Sequence, residues 1–251
     1  MKRNNLIYSM TIMALFIAIM AIFAFTPAGS IFQGAGFSIT LLGVPLTIIA
    51  CLYGPLMGAF AGAVWGSFAL IQAFTGMDFI GTTILSSEMN AGLKFGGLVA
   101  ICYSRIIVGF LAGLISDALR LVDKHGHWSS VVTGLSVGIL NTAIFMTLFC
   151  AFYYKTETIQ NLCAQFNLNP NNAWLFSIAF VGPINIPVEW SVNAGVGGLA
   201  AYGVIVGTKK AHIENPFPRF FKKESSQENV LIPSDKEVNQ ENIDLINGDN
   251  K

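Results

Sequence analysis

The sequence predicts an all-α integral membrane protein, a bundle of six transmembrane helices followed by a polar C-terminal tail. Hydrophobic residues make up 53% of its 251 positions and charged residues only 11%, whereas soluble domains carry about a quarter of their residues as charges. Long stretches have no charge at all: after Arg3 the next charged residue is Asp78, and 158–188 has none. Because about 20 apolar residues cross a bilayer, these stretches predict membrane spans.

Apolar runs and the breaks between them place the spans. A break at 26–29 ends the first helix, and a turn at 53–55 separates the second from the third. Pro183 and Pro187 would interrupt a straight helix, so we expect a lead-in segment at 173–182 before the last span. The six predicted spans are 6–26, 37–53, 54–75, 93–117, 129–153 and 183–208.

The distribution of charge predicts a domain boundary and an orientation. Residues 1–208, the predicted membrane domain, hold seven basic and six acidic residues, whereas 209–251 hold seven and eight and form a predicted disordered tail. Basic residues concentrate on the cytoplasmic side of membrane proteins. We therefore compare the basic residues near the ends of the spans. With both termini in the cytoplasm, only Lys94 and Lys155 of this set face out of the cell, and those inside are Lys2, Arg3, Arg120, Lys124, Lys209, Lys210, Arg219, Lys222 and Lys223.

Two motifs for nucleotide and metal chemistry are missing from the sequence. It contains no GxxxxGK[ST] phosphate loop and no HExxH zinc motif. The four cysteines show no metal-ligand spacing. We therefore predict that the chain is not an enzyme, that it needs no cofactor or metal, and that it lies in lipid without a nucleic-acid partner.

Two stripes of small residues predict close helix contacts. The third span has a glycine at every fourth position from Gly54 to Gly66. Such a face lets another backbone approach closely, and we predict that it packs inside the chain. Ala14 and Ala18 form a shorter stripe on the first span, for which internal packing and docking of a partner subunit are alternatives.

Charged and polar side chains inside the spans are the candidates for binding. An ionisable residue there costs about 2.5–3.5 kcal/mol on insertion scales unless it faces protein or water. Arg105 in the fourth span and Glu189 in the sixth either pair to hold the bundle together or serve a ligand. A guanidinium suits a carboxylate, because its planar fork of donors matches the two oxygens. Further polar candidates in the spans are Gln72, Asn141, Thr142 and Asn193.

The segment Gly29–Gly36 joins the first two spans on the predicted outer side. It contains Gly, Ser, Gln and Ala but no charged residue. Such a composition predicts either a flexible lid over a binding site or a plain connector.

Two adjacent stretches resemble a known family. Phe37–Ala50, with its Ile-Thr and Pro, leads into the glycine-rich segment Leu52–Gly66. Together they are similar to the second and third helices of the substrate-binding S components of energy-coupling-factor (ECF) vitamin transporters. The resemblance covers about residues 1–208 and implies a six-helix membrane protein that captures a vitamin for import.

Three shorter segments resemble the pantothenate-specific branch of this family: Ala69–Thr75, Ser104–Gly109 and Gly138–Thr142. The resemblance implies ligand contacts at Gln72, Arg105 and Asn141. An S component for another vitamin, such as folate or riboflavin, is the alternative. A small intramembrane enzyme that uses Glu189 and Arg105 is a second alternative, from a different functional class.

The resemblance also implies partners. An S component works with a transmembrane coupling subunit and two ABC-type ATPases, which supply the energy for uptake. Ala14 and Ala18 resemble the AxxxA surface with which S components dock onto the coupling subunit.

Overall fold

A computed structural model of the chain describes residues 2–26, 29–34, 37–85, 90–123, 126–153, 156–165, 167–169 and 182–221. Two stretches of π-helix, Val99–Tyr103 and Asn193–Gly198, interrupt otherwise α-helical spans. A hairpin of two short antiparallel strands, β1 (Ser30–Gly34) and β2 (Phe37–Thr40), follows the first helix. The helices are α1 (Lys2–Phe25), α2 (Gly43–Tyr53), α3 (Pro55–Thr75), α4 (Phe79–Ile84), α5 (Ala91–Leu98), α6 (Ser104–Leu119), α7 (His127–Tyr153), α8 (Glu157–Gln165), α9 (Gly182–Val192) and α10 (Leu199–Lys210).

The helices confirm a multi-pass helical membrane protein. Within the described residues, five helical stretches are long and apolar enough to cross a bilayer. The third of them joins α5, a π-helical turn and α6, and the fifth runs from α9 through the second π-helical stretch into α10. The five stretches are Asn4–Phe25, Pro55–Thr75, Ala91–Leu119, His127–Tyr153 and Pro187–Lys210.

The predicted span 37–53 is wrong in its first part. Residues 37–40 form strand β2, and only Gly43–Tyr53 is helical. At about 1.5 Å per residue, these 11 residues extend about 16 Å, which is half of a typical hydrocarbon core. Strand β2 pairs with β1 along one edge, and the buried α2 packs among α3, α6 and α7. The lead-in segment predicted at 173–182 lies outside the described residues except for Gly182.

The glycine stripe of α3 packs against α6, as predicted. A Cβ atom on Gly58 would overlap the carbonyl oxygen of Gly109, and one on Gly62 would overlap that of Arg105. A Cβ on Gly66 would come within 3.0 Å of the Cα atom of Cys102. The two backbones can approach this closely because the glycines have no side chains, and the contact fixes where Arg105 enters the bundle.

The chain returns to the bundle after α10. At the end of the bundle where α3 begins, which we call the Pro55 end, Arg219 donates to the Asp117 carboxylate over 2.7 Å. The Phe217 ring packs edge-on against Tyr53, with ring centroids 5.4 Å apart. The first compact unit extends to Phe221, and the predicted boundary between a membrane domain ending at 208 and a polar tail stays a prediction.

Candidate functional site

Arg105 lies near the middle of the bundle and is anchored by its own helix. Its Nη1 atom donates to the Ser104 hydroxyl over 2.8 Å and to the Ala100 carbonyl over 3.2 Å. The acceptor Ala100 belongs to the π-helical stretch before α6, a feature that often marks functional sites. The guanidinium carbon is 4.4 Å from the centre of the Phe145 ring and 5.8 Å from that of Trp65. Cation–π attraction to these rings holds the charge in an apolar setting.

Glu189 is buried against α7. Its carboxylate is within hydrogen-bond distance of two α7 side chains: Thr142 Oγ1 donates over 2.9 Å, and Asn141 Nδ2 lies 3.3 Å from both oxygens. The residue is 2% exposed. These two contacts join the Glu189 side chain to α7, so α7 fixes the position of the carboxylate.

Arg105 and Glu189 belong to one group of side chains, which we call the Arg105 cluster. Its other members are Trp65, Asp78, Asn141, Thr142 and Phe145. Phe145, which stacks on Arg105, lies one helical turn beyond Asn141 and Thr142 on α7. The negative charges of Asp78 and Glu189 both act on the Arg105 guanidinium. Asp78 follows the end of α3, and burial raises the pKa of its carboxyl, although the Gly81 amide and Arg105 partly offset this.

Several buried polar atoms in or beside this cluster have no hydrogen-bond partner among the described residues. They are Nε of Arg105, Oδ1 of Asn141 and Nε1 of Trp190. The Trp190 indole packs on Gly138, one turn before Asn141 on α7. Leaving such a group unpaired costs about 1–3 kcal/mol. The described residues therefore leave two donors and one acceptor unpaired in this part of the bundle.

The family of the chain follows from a comparison with known proteins. Residues 8–196 match the family model described as ECF transporter, substrate-specific component, which is about three quarters of the chain. The chain belongs to this family. A search of the curated proteins finds no match. The match confirms the predicted family, whose members are the substrate-specific subunits of a transporter. The pantothenate branch stays a prediction.

Two further residues predicted to bind the substrate of this S component make side-chain contacts with other helices. Gln72 donates its Nε2 hydrogen to the Ala24 carbonyl over 2.6 Å and so ties α3 to the end of α1. Asn193 is 3% exposed and packs so tightly against α2 that a Cβ atom on Gly43 would overlap its Oδ1 atom. In the structure these side chains make contacts between helices, and their role in binding stays a prediction.

The predicted docking stripe of the S component lies on the surface of the bundle. Ala14 and Ala18 are both exposed, whereas Ser9 and Met20 on the same helix are buried. The stripe therefore does not pack against the described part of the chain, and its use by a partner stays a prediction. The segment Gly29–Gly36, predicted to be a lid or a plain connector, contains strand β1, and residues 35–36 lie outside the described part. Its role stays a prediction.

Sequence reasoning missed three members of the cluster, Asp78, Trp65 and Phe145. Asp78 was visible as the first charged residue after Arg3, and Phe145 as the residue one turn from Asn141.

The sequence also contains one GxSxG spacing, at 134–138. The structure places it within helix α7, where Ser136 donates to the Val132 carbonyl over 2.8 Å. In hydrolases that use the GxSxG motif, the serine is the nucleophile and lies on a sharp turn between a strand and a helix, called the nucleophile elbow. Ser136 lies inside a helix, so this spacing is not a nucleophile elbow.

Proposed function

We propose that this chain is the substrate-capture subunit of an ECF-type ABC importer, and that its substrate is a vitamin with a carboxylate. Pantothenate is the favoured candidate. The observation that carries the proposal is the Arg105 guanidinium, which lies between two aromatic rings and keeps one buried donor unpaired. An anion that leaves water needs a charge-assisted donor, because an unpaired ion is strongly disfavoured at low dielectric.

Arg105 would bind the carboxylate, and α7 with α9 would bind the neutral part of the molecule. Pantothenate carries two hydroxyls and an amide beyond its carboxylate. Asn141 Oδ1 and the Glu189 carboxylate can accept from such donors, and the Trp190 indole can donate to a carbonyl. Phe145 and Trp65 offer apolar surface to the carbon chain between the two polar ends.

The subunit would work with a transmembrane coupling subunit and two ABC-type ATPases. Ala14 and Ala18 are exposed on α1, where a second helix can approach closely. We place the Pro55 end of the bundle, which holds Arg120, Arg219 and the end of α10 at Lys210, in the cytoplasm. This orientation follows the excess of basic residues at that end.

The proposal is tested by direct measurement of binding. The full-length protein is purified in lipid nanodiscs, and calorimetry measures the affinity for pantothenate, for its uncharged alcohol panthenol, for folate and for riboflavin. We expect pantothenate to bind and panthenol to bind much more weakly, because only the acid offers a carboxylate to Arg105. Tight binding of riboflavin without binding of pantothenate would reject the carboxylate class and favour the alternative vitamin.

A further inference from the structure

The chain that follows α10, residues 212–221, runs over the Pro55 end of the bundle, and we call it the C-terminal strap. Exposed side chains at its even-numbered positions 212–220 alternate with partly buried ones at the odd-numbered positions 213–219. A period of two is typical of an extended chain. Pro216 and Pro218 favour such a chain, because each fixes its own φ and disfavours helix for the residue before it. The strap therefore has an inner face towards the bundle and an outer face away from it.

The end of the strap is fixed at a definite height on α6. Both oxygens of the buried Asp117 carboxylate hold it: Oδ1 accepts from Arg219 Nη1 over 2.7 Å, and Oδ2 accepts from the Phe220 amide over 3.2 Å. The Phe220 ring contacts the Phe110 ring edge-on, with centroids 6.1 Å apart. Phe110 lies two helical turns before Asp117 on α6. The strap thus ends against the side of α6 and not beyond its end.

The contact between Phe110 and Phe220 lies within the length of a membrane span. The span Ala91–Leu119 has 29 residues, which extend about 43 Å at 1.5 Å per residue. The hydrocarbon core is about 30 Å thick, so an upright span centred on the bilayer passes about 7 Å beyond the core at each end. Phe110 is about 13 Å from the Leu119 end by the same rise. The two rings therefore meet near the edge of the hydrocarbon core.

The outer face of the strap changes from polar to apolar along its length. Its exposed residues near the start are His212 and Glu214, whereas Phe220 and Phe221 at the end are 57% and 47% exposed. Large apolar side chains are unfavourable in water and favourable at the boundary between lipid headgroups and acyl chains. The exposed rings are thus found at the end of the strap that is level with the bilayer.

We propose that the C-terminal strap is a membrane anchor, in which Phe220 and Phe221 insert into the boundary between headgroups and acyl chains beside α6. Lipid is the occupant of this apolar surface, because the surface continues the side of a span that crosses the bilayer. The inference goes beyond the proposed function and does not depend on the substrate. It places in lipid a segment that the charge distribution assigned to the polar tail 209–251.

The experiment measures the depth of a spin label in the bilayer. Phe221→Cys is made in the full-length protein without the four native cysteines, labelled with a nitroxide and placed in liposomes. Power saturation then compares collisions with oxygen, which concentrates in lipid, and with a water-soluble nickel chelate. The reference sites are Ile107→Cys, an exposed position within the span of α6, and Glu214→Cys, on the outer face of the strap. We expect the ratio of oxygen to nickel collisions at 221 to be several times that at 214 and closer to that at 107.

Two results would overturn the anchor. Nickel access at 221 equal to that at 214 would place the rings in water. Low access of both reagents at 221 would mean that protein covers the rings, as in a contact between copies of the chain.

A second variant tests the part played by the Phe220 ring. Phe220→Ser, with the label at 221, should raise the nickel access of that label, because one of the two inserted rings is lost. Val122→Ser is the matched control, since Val122 is an 89% exposed apolar residue just beyond α6, and it should leave the label at 221 unchanged. An unchanged label in Phe220→Ser would assign its depth to the Asp117 contacts alone and overturn the anchoring role of the ring. The label at 107 should give the same ratio in both variants, which shows that the bundle is intact.

Discussion

Thr142 Oγ1 donates a 2.9 Å hydrogen bond to Oε2 of Glu189, and this bond joins the middle of α7 to α9. Asn141, the residue before Thr142, contacts the same carboxylate. Thr142 is 5% exposed and Glu189 2%, so the bond is shielded from solvent. Two spans distant in sequence are thus held in register.

Loss of the Thr142 hydroxyl should destabilise the protein. Thr142→Val keeps the shape of the side chain but leaves the buried carboxylate with fewer donors, at a cost of about 1–3 kcal/mol. Thr142→Ser retains the hydroxyl and should recover most of the loss. Thr11→Val is the control, because the Thr11 hydroxyl is exposed and bonds the Ile7 carbonyl of its own helix. Denaturant unfolding in detergent measures all three, and equal stability of Thr142→Val and wild type would contradict the assignment.

Replacing Arg105 should separate a ligand anchor from a structural pair. If Arg105 binds the carboxylate, Arg105→Ala weakens pantothenate binding by about 2–5 kcal/mol and changes panthenol binding far less. Arg105→Lys recovers only part of the loss, because an ammonium lacks the planar fork. Calorimetry and thermal unfolding without ligand are measured on the same samples.

The alternative for Arg105 makes the opposite prediction. If Arg105 and Glu189 pair only to hold the bundle together, Arg105→Ala and Glu189→Gln both lower the unfolding temperature without ligand. A well-folded Arg105→Ala protein that binds pantothenate as tightly as wild type would reject the anchor.

Bulky residues on the α1 stripe should block docking and spare binding. Ala14→Leu and Ala18→Leu fill the surface along which a partner helix would approach. Vitamin uptake by cells should fall, while pantothenate binding by the isolated protein stays as in wild type. Gly203→Leu is the control, since it places the same leucine side chain at an exposed position of α10 with no neighbour within 4 Å among the described residues. Parallel loss of binding and uptake in the α1 variants would show that the stripe packs inside the protein.

Arg219 should stabilise the bundle from outside the predicted membrane domain. Asp117 is fully buried, and Arg219 is the partner of its carboxylate while also donating to the carbonyls of Cys51 and Leu52 at the end of α2. Nearby, burial and the charge of Arg219 lower the pKa of Arg120 to about 10, so Arg120 stays charged at neutral pH. Arg219→Ala should cost about 3–5 kcal/mol, because it leaves a buried charge unpaired.

Two further proteins complete the test of Arg219. Arg219→Lys should restore part of the stability, since one ammonium cannot reach the carboxylate and both carbonyls together. Truncation after Phe221 keeps Arg219 and its bond to Asp117, so the truncated protein should unfold as wild type does. A truncated protein as unstable as Arg219→Ala would mean that the stabilising contacts lie beyond Phe221.

Cysteine labelling should establish the orientation. A reagent that does not cross membranes should reach engineered cysteines at Gln33 and Asn161 from outside intact cells, in a background without the four native cysteines. It should not reach cysteines at His127 or Lys210 until the cells are opened. External labelling at position 210 would invert the proposed topology.

Parts of the candidate site could be predicted because membranes penalise polar groups. Arg105 and Glu189 stand out in the sequence, since an ionisable residue inside a span needs a protein or ligand partner. Asp78 did not stand out in the same way, because it lies between spans, where charges are common. The charge of Arg105 acts on Asp78 in the folded chain, and the local sequence does not encode that relationship.

Apolar runs of about 20 residues are enough to establish a multi-pass helical membrane protein, because the bilayer leaves the backbone few other ways to satisfy its hydrogen bonds. The same rule cannot distinguish a full span from a shorter apolar segment that is surrounded by protein. For this reason residues 37–42 could not be separated from α2. Only the tertiary structure decided that α3 and α6 meet along the glycines, that Thr142 and Asn141 hold Glu189, and that Gln72 bonds the end of α1. Those contacts join residues far apart in the chain, and they depend on helix rotation and depth, which packing sets.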